Sequence, residues 1–322
     1  MDVALYTGNG GNQSITLPGG FNPDLVWVKS RSNSQDHYLF DAVRGGASIL
    51  RSNTTGAEST GTTYLSFDTS GFSSLNGLSS NGYTYAAWTW DAGTSTVSNT
   101  SGSITSQVRA NVSAGFSVVT YTGVTGNQSF GHGLGVKPKL IMIKNRSNSA
   151  NWFVMVDIGT TYYKYGHLNT TDAFADATAQ PVTSTTVTLG NNNAWFGANG
   201  DNYVAYCFAP VDGYSSAFTF TGNGSSDGPF CFLGFRPKLL LIKRSDSTGN
   251  WLLVDSVRGT YNLDGTYLYA NTSDAEATQA SGWDLLSNGF KNRNTYNDSN
   301  SSGATYVGFA WAENPFQYAR AR

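Results

Sequence analysis

Pro23-Asp24-Leu25-Val26-Trp27-Val28-Lys29-Ser30-Arg31 decides how the chain is read, because the chain writes it twice more. It returns as Pro138-Lys139-Leu140-Ile141-Met142-Ile143-Lys144-Asn145-Arg146, and then as Pro237-Lys238-Leu239-Leu240-Leu241-Ile242-Lys243-Arg244. An opening proline, an apolar run and a cationic stop predict a central strand buried on both faces. The copies stand about 100 residues apart, too long for a solenoid unit and close to the size of a small domain.

Working outward, each copy opens on a strand ending Tyr6-Thr7-Gly8, Tyr121-Thr122-Gly123 or Phe220-Thr221-Gly222, and 23 residues separate that aromatic from Lys29, Lys144 or Lys243. An acidic column follows the lysine at 12, 13 and 12 residues: Asp41, Asp157 and Asp255. Next come Asn53-Thr54-Thr55, Asn169-Thr170-Thr171 and Asn271-Thr272-Ser273. The copies close on Tyr85–Trp90, Tyr203–Phe208 and Tyr306–Trp311. Four ordered landmarks at nearly fixed spacing establish a triplication.

Within a copy, short strand candidates alternate with Gly, Asn and Ser clusters, and no apolar stripe of period 3.6 appears. Copy one reads as strands at Val3–Tyr6, Ser14–Leu17, Leu25–Lys29, Tyr38–Asp41, Ser48–Arg51, Tyr64–Phe67 and Tyr83–Trp90. This density predicts an all-β chain of three tandem antiparallel β-sandwich domains, jelly-roll or lectin-like, related by internal repeat. Their expected bounds are 1–93, 115–213 and 214–322, with a polar linker over 94–114 that has room for a strand near Ser103–Val108. Single helical turns are expected at Thr171–Ala177 and Ser273–Ala277. Copies two and three, joined almost directly at Val211–Tyr214, are expected to pair more tightly than copies one and two.

Charged residues make up 12% of the chain, about half the usual share. The 37 glycines and 14% aromatics belong to a chain of turns and strands rather than a disordered one. A net charge of −2 offers no electrostatic basis for binding nucleic acid or an anionic membrane. Cys207 and Cys231 fall in different copies and read as buried free thiols. Strand-like sequence begins at Val3, so neither a secretory signal nor a membrane-inserting segment is expected.

Asp41 and Asp255 each have an arginine three residues on, Arg44 and Arg258, whereas Asp157 is followed at that spacing by Thr160. Acid–base catalysis needs a second poised carboxylate, and the chain has only three glutamates, Glu58, Glu276 and Glu313. The Asp–Arg columns therefore read as structural pairs or turn caps, the lysine columns as strand stops, and no catalytic residue is expected. His37, His132 and His167 lack metal-ligand spacing, so neither metal nor cofactor is expected. The loops Asn191-Asn192-Asn193, Asn199–Asn202 and Asn297–Asn300 lack the alternating carboxylates of a calcium loop and read as turns. Trp152 and Trp251, each just after an asparagine, match His37-Tyr38 of copy one. Core packing is the first reading of these four, and stacking on a sugar the second.

Gly131-His132-Gly133-Leu134-Gly135-Val136-Lys137-Pro138-Lys139, Tyr203-Val204-Ala205-Tyr206-Cys207-Phe208 and Phe309-Ala310-Trp311-Ala312-Glu313-Asn314-Pro315-Phe316 resemble a domain of unknown function common in tailed bacteriophages, especially aquatic ones. The resemblance runs from about Val3 to the last arginine. It implies a non-enzymatic structural protein of the virion surface, on the tail fibre or tip, contacting other virion proteins. It further implies attachment to a host surface glycan or protein, and by analogy a homotrimer. A capsid or tail decoration and a glycan-cleaving tailspike are the alternatives. Such proteins usually carry a long anchoring segment before this region, so either a stand-alone virion protein or a terminal fragment is expected.

Overall fold

The computed structural model describes residues 1–75, 77–190, 193–259 and 261–314. Asn191 and Asn192 of one asparagine loop, and Pro315 and Phe316 of the closing phrase, lie outside the described residues.

Copy one contributes β1 (Asp2–Thr7), β2 (Gln13–Thr16), β3 (Leu25–Ser30), β4 (Tyr38–Asp41), β5 (Leu65–Asp68), β6 (Gly71–Ser74) and β7 (Thr84–Trp90). A hairpin follows, β8 (Thr96–Asn99) and β9 (Ser106–Asn111). Copy two forms β10 (Phe116–Thr122), β11 (Gln128–Gly131), β12 (Leu140–Asn145), β13 (Phe153–Val156), β14 (Tyr163–His167), β15 (Ala175–Ala177), β16 (Thr186–Leu189) and β17 (Asn202–Phe208). Copy three forms β18 (Ser215–Thr221), β19 (Phe230–Phe232), β20 (Pro237–Arg244), β21 (Trp251–Asp255), β22 (Asp264–Tyr269), β23 (Ala277–Leu286), β24 (Gly289–Asn292) and β25 (Thr305–Ala312). No helix occurs among the described residues.

The architecture is all-β, with every ladder antiparallel. One strand order recurs: opening strand, closing strand, central strand, acidic-column strand. It reads β1-β7-β3-β4, β10-β17-β12-β13 and β18-β25-β20-β21. Short strands form a further layer in each copy, as β2-β6-β5, as β11-β16, and in copy three as β23-β24-β19. Copy three's sheet curls until its two end strands, β18 and β19, meet, close to a barrel.

The glycine of each opening landmark marks a close backbone approach. A Cβ at Gly8, Gly123 or Gly222 would lie 2.2, 2.2 or 2.3 Å from a carbonyl oxygen of the facing turn. Only glycine fits there.

Each central strand is buried on both faces because its alternate residues serve two cores. Val26 and Val28 face copy one's own core, Ile141 and Ile143 that of copy two, and Leu240 and Ile242 that of copy three. The intervening Leu25, Trp27, Leu140, Met142, Leu239 and Leu241 enter one cluster common to all three copies. At its centre the last aromatics of the closing strands meet. Trp90 to Phe208, Trp90 to Trp311 and Phe208 to Trp311 lie 5.9, 5.3 and 5.3 Å apart between ring centroids. These three equivalent residues mark an approximate threefold axis within one chain.

Three local expectations change. Ser48–Arg51 forms no strand, only isolated bridges from Ile49 to Ser59 and from Leu50 to Leu39. The segments read as helical turns contain no helix: β15 lies within the first, and β23 begins at the end of the second. There the Phe174 and Glu276 amides bond to carbonyls of Ser245 and Arg31 in a neighbouring copy, so those amides are not available for a helical turn. The 94–114 segment is also more than a spacer. Its hairpin extends copy two's sheet through β9–β10 pairing, and Arg109 reaches back to Asp24 of copy one at 2.6 Å.

Candidate functional site

The acidic column organises the boundaries between copies. Asp41 Oδ1 accepts the Val43 and Arg44 amides at 3.1 and 2.9 Å, and Oδ2 takes Arg44 Nε at 2.5 Å. Asp255 repeats the pattern on Val257 and Arg258, at 3.1, 2.9 and 2.6 Å. Both pairs are fully buried. They are turn caps and ion pairs at once.

Each buried pair is completed by other copies. Tyr206 of copy two donates its hydroxyl to Asp41 at 2.8 Å, and Trp88 of copy one donates its indole N–H to Asp255 at 2.9 Å. Glu58 holds Arg44 at 2.7 Å and Arg146 of copy two at 2.8 Å. Glu276 holds Arg258 at 3.1 Å and Arg31 of copy one at 2.7 Å. Burial opposes the Arg44 charge, but Asp41, Tyr206 and Glu58 outweigh it and raise its pKa. Burial likewise pushes Glu58 up, yet Arg146 and Arg44 hold its carboxyl below the ordinary value. Carboxylates engaged in this way hold a fold.

The boundary between copies two and three keeps one part of this pattern, the Gly159 amide donating to Asp157 Oδ1 at 2.9 Å, and lacks the rest. Phe309 stands in the strand position of Trp88 and Tyr206, and cannot donate. Thr160 stands where the arginine would be. Phe174 replaces the glutamate, five residues after Asn169 as Glu58 is after Asn53 and Glu276 after Asn271. It packs on Trp251 at 5.6 Å between centroids. Asp157 is left to pair with Lys137 at 3.3 Å, its side chain 12% exposed. The short connection between these copies therefore does not bring a stronger polar contact.

The sugar-stacking reading fails for Trp152, Trp251 and His37, which are buried. Each crosses to a neighbouring copy instead. Trp152 Nε1 donates to Arg51 O at 2.8 Å and Trp251 Nε1 to His167 O at 2.9 Å, while His37 Nε2 meets Tyr269 O at 3.0 Å. Their backbone amides donate to Asn169, Asn271 and Asn53, which accounts for the asparagine column. Tyr38 is half-buried beneath the Arg51 guanidinium, 5.6 Å from its centroid, and offers no open ring face on that side. Burial holds the His37 pKa well below the imidazole norm, so it stays neutral.

Lys29, Lys144 and Lys243 are buried too. Each ammonium caps backbone carbonyls: Lys29 those of Ser30 and Asn33, Lys144 those of Thr55 and Ala150, and Lys243 those of Thr171 and Arg244. Thr55 and Thr171 belong to the neighbouring copy, so two of the three lysines bridge copies. Desolvation lowers each pKa to about 8.

The inter-copy partners Glu58, Glu276, Arg31, Arg146, Trp88 and Tyr206 escaped the sequence reading. The signal was present, since two of only three glutamates fall five residues after the same asparagine column. Cys207 and Cys231 are free and buried, and burial pushes both thiols up to about 12. Among the described residues, no three His, Cys, Asp or Glu side chains gather to hold a metal ion.

Open features lie away from these ties. A cavity of about 450 Å³ sits where the copies join, lined by Met1, Asp91, Ala114, Asp212 and Tyr214 among others. On the outer face of copy three, Phe230 and Phe232 are 42% and 68% exposed. The strand pairing Ile15–Phe72, Phe130–Val187 and Cys231–Phe290 equates them with Ser14 and Thr16 in copy one and Ser129 and Gly131 in copy two.

No curated protein matches the chain. A family model covers it almost from end to end, over residues 1–315. The chain belongs to the family described as a domain of unknown function, DUF7483.

Proposed function

We propose that this chain is a non-enzymatic structural protein of a bacteriophage virion surface, on the tail fibre or tip, which attaches the particle to its host. The reading takes each copy as one β-sandwich, with its main ladder toward the common axis and its short strands outside. One observation carries it: the buried carboxylates that could have served as acid–base groups are locked into ties between copies, as Asp41 with Arg44 and Tyr206 and Asp255 with Arg258 and Trp88. A chain that uses its few charges to seal three units around one axis is suited to rigid display. The resemblance of its repeat phrases to tailed-phage surface proteins points the same way. In this reading the approximate threefold comes from one chain, and a homotrimer would multiply it.

A purely structural decoration is the second reading, favoured by the exposed Phe230 and Phe232, a surface suited to docking on another virion protein. Binding of labelled protein to intact host cells, measured beside its mass in solution, separates the two. Saturable binding that blocks phage adsorption supports attachment. Absence of binding, together with firm retention on particles that lack the protein, leaves decoration.

A further inference from the structure

Copy two is the copy that lost the Asp–Arg–Glu ties, and beside the Asp157 thus released it carries a cleft of about 220 Å³. Lys137, Thr161, Tyr162, Tyr163, Thr178 and Gln180 line it. The Lys137 ammonium lies 4.7 Å from the Tyr163 ring centroid and 3.3 Å from Asp157 Oδ2, so the cation is held from two sides. Tyr163 is itself fixed by its hydroxyl, which donates to Pro138 O at 2.5 Å. Tyr162, by contrast, is 46% exposed. The Thr160 hydroxyl donates to its carbonyl at 2.7 Å.

We infer that this cleft is a binding site for one ring of a neutral sugar. Three physical points select that class. The volume is below the roughly 300 Å³ at which pockets for larger organic ligands begin, and suits a single ring. The lining sets Thr161, Thr178 and Gln180 beside the half-exposed Tyr162 and the apolar Ala177, Pro181 and Val182, a mixture that suits a sugar's hydroxyls and its apolar face. The cation is already paired with Asp157, so an anionic ligand would compete with a carboxylate, and a nucleotide's phosphate would meet no free charge. The equivalent aspartates of copies one and three are fully buried under their arginines and cannot serve a cleft in this way. This inference rests on the attachment reading and gives it a place on the molecule.

The test is saturation-transfer NMR on the full chain with the methyl glycosides of glucose, galactose, mannose and N-acetylglucosamine. Tyr162→Ala and Gln180→Ala are run beside the wild type, and all three proteins are also scored for host-cell binding. The expected result is transfer to at least one glycoside, weakened about tenfold in affinity by Tyr162→Ala through loss of the ring platform. Transfer to none of the four, or equal transfer in Tyr162→Ala, overturns the cleft. If cells bind wild type and Tyr162→Ala equally and no glycoside shows transfer that depends on Tyr162, attachment stands and the cleft falls. If a glycoside binds at Tyr162 but cells do not bind, the cleft stands and attachment falls.

Discussion

Trp88 donates its indole N–H to Asp255 across 167 residues of chain, at 2.9 Å and out of contact with water. Tyr206 makes the same bond to Asp41 at 2.8 Å. In each case a closing strand of one copy supplies the last hydrogen bond to a buried ion pair in another. Removing one partner of such a pair strands a buried charge, whereas removing the outer group loses only its hydrogen bonds, one for Trp88 and two for Tyr206, whose hydroxyl also accepts Arg44 Nη2 at 3.0 Å.

Asp41→Asn should therefore destabilise the chain by about 3–5 kcal/mol, because Arg44 keeps its charge without a full partner. Tyr206→Phe, which removes two bonds but strands no charge, should cost less, about 2–3 kcal/mol. Urea unfolding of both variants and of the double variant measures this. Their effects should fall short of additivity, since the Tyr206 bond already depends on the Asp41 carboxylate. Strict additivity would mean that the two side chains do not act together.

Acid should open the molecule unevenly. The Glu58 pKa is held below the ordinary carboxylate value, so its contribution is complete above the unfolded pKa and is lost as pH falls through the folded one. Glu58 ties copy one to copy two, whereas the boundary between copies two and three carries Phe174 against Trp251. Hydrogen exchange below about pH 4 should deprotect β4 and β12 before β20, the strand of copy three that faces copy two. Uniform deprotection of all three would contradict this assignment of the ties.

Much of this plan could be read from residue order. Repetition of the run ending at Lys29, Lys144 and Lys243 located the central strands, and the three-residue step from Asp41 to Arg44 placed two side chains on one turn. What order alone does not carry is the identity of the third partner. A tryptophan after an asparagine looks the same whether its ring meets solvent or another copy, and Trp152 and Trp251 meet another copy. Both central-strand faces were read as buried, but nothing local distinguishes a copy's own second layer from the common core that Leu25 and Trp27 enter. The helical turns failed for the same reason, since the partners of the Phe174 and Glu276 amides lie in another repeat.

The buried lysines give a second pH signature. With folded pKa values of about 8 against an unfolded value near 10.5, each lysine is penalised while charged, and the penalty lifts as pH rises between those values. The wild type should thus gain stability relative to Lys144→Met from pH 8 to 10. Cys207 and Cys231, pushed up to about 12, act in the opposite direction in both proteins and cancel in the difference. Thermal unfolding across that range measures the gain; parallel curves would place the Lys144 ammonium in water.

The common core sets the cooperativity. Trp90, Phe208 and Trp311 each touch the other two, and the cluster around them contains the inner-facing residues of all three central strands. No copy can leave without exposing the aromatics of the other two, so three sequence repeats should unfold as one. Calorimetry should show a single transition whose calorimetric and van't Hoff enthalpies agree. Trp90→Ala should lower stability by about 3–5 kcal/mol while keeping one transition, because the cavity lies where every copy pays for it. Two or three resolved transitions in the wild type would mean that each copy is stabilised mainly by its own outer core, and that the axis is a contact rather than a core. The Trp90→Ala variant separates these cases, since a mere contact would weaken copy one's transition and leave the later ones in place.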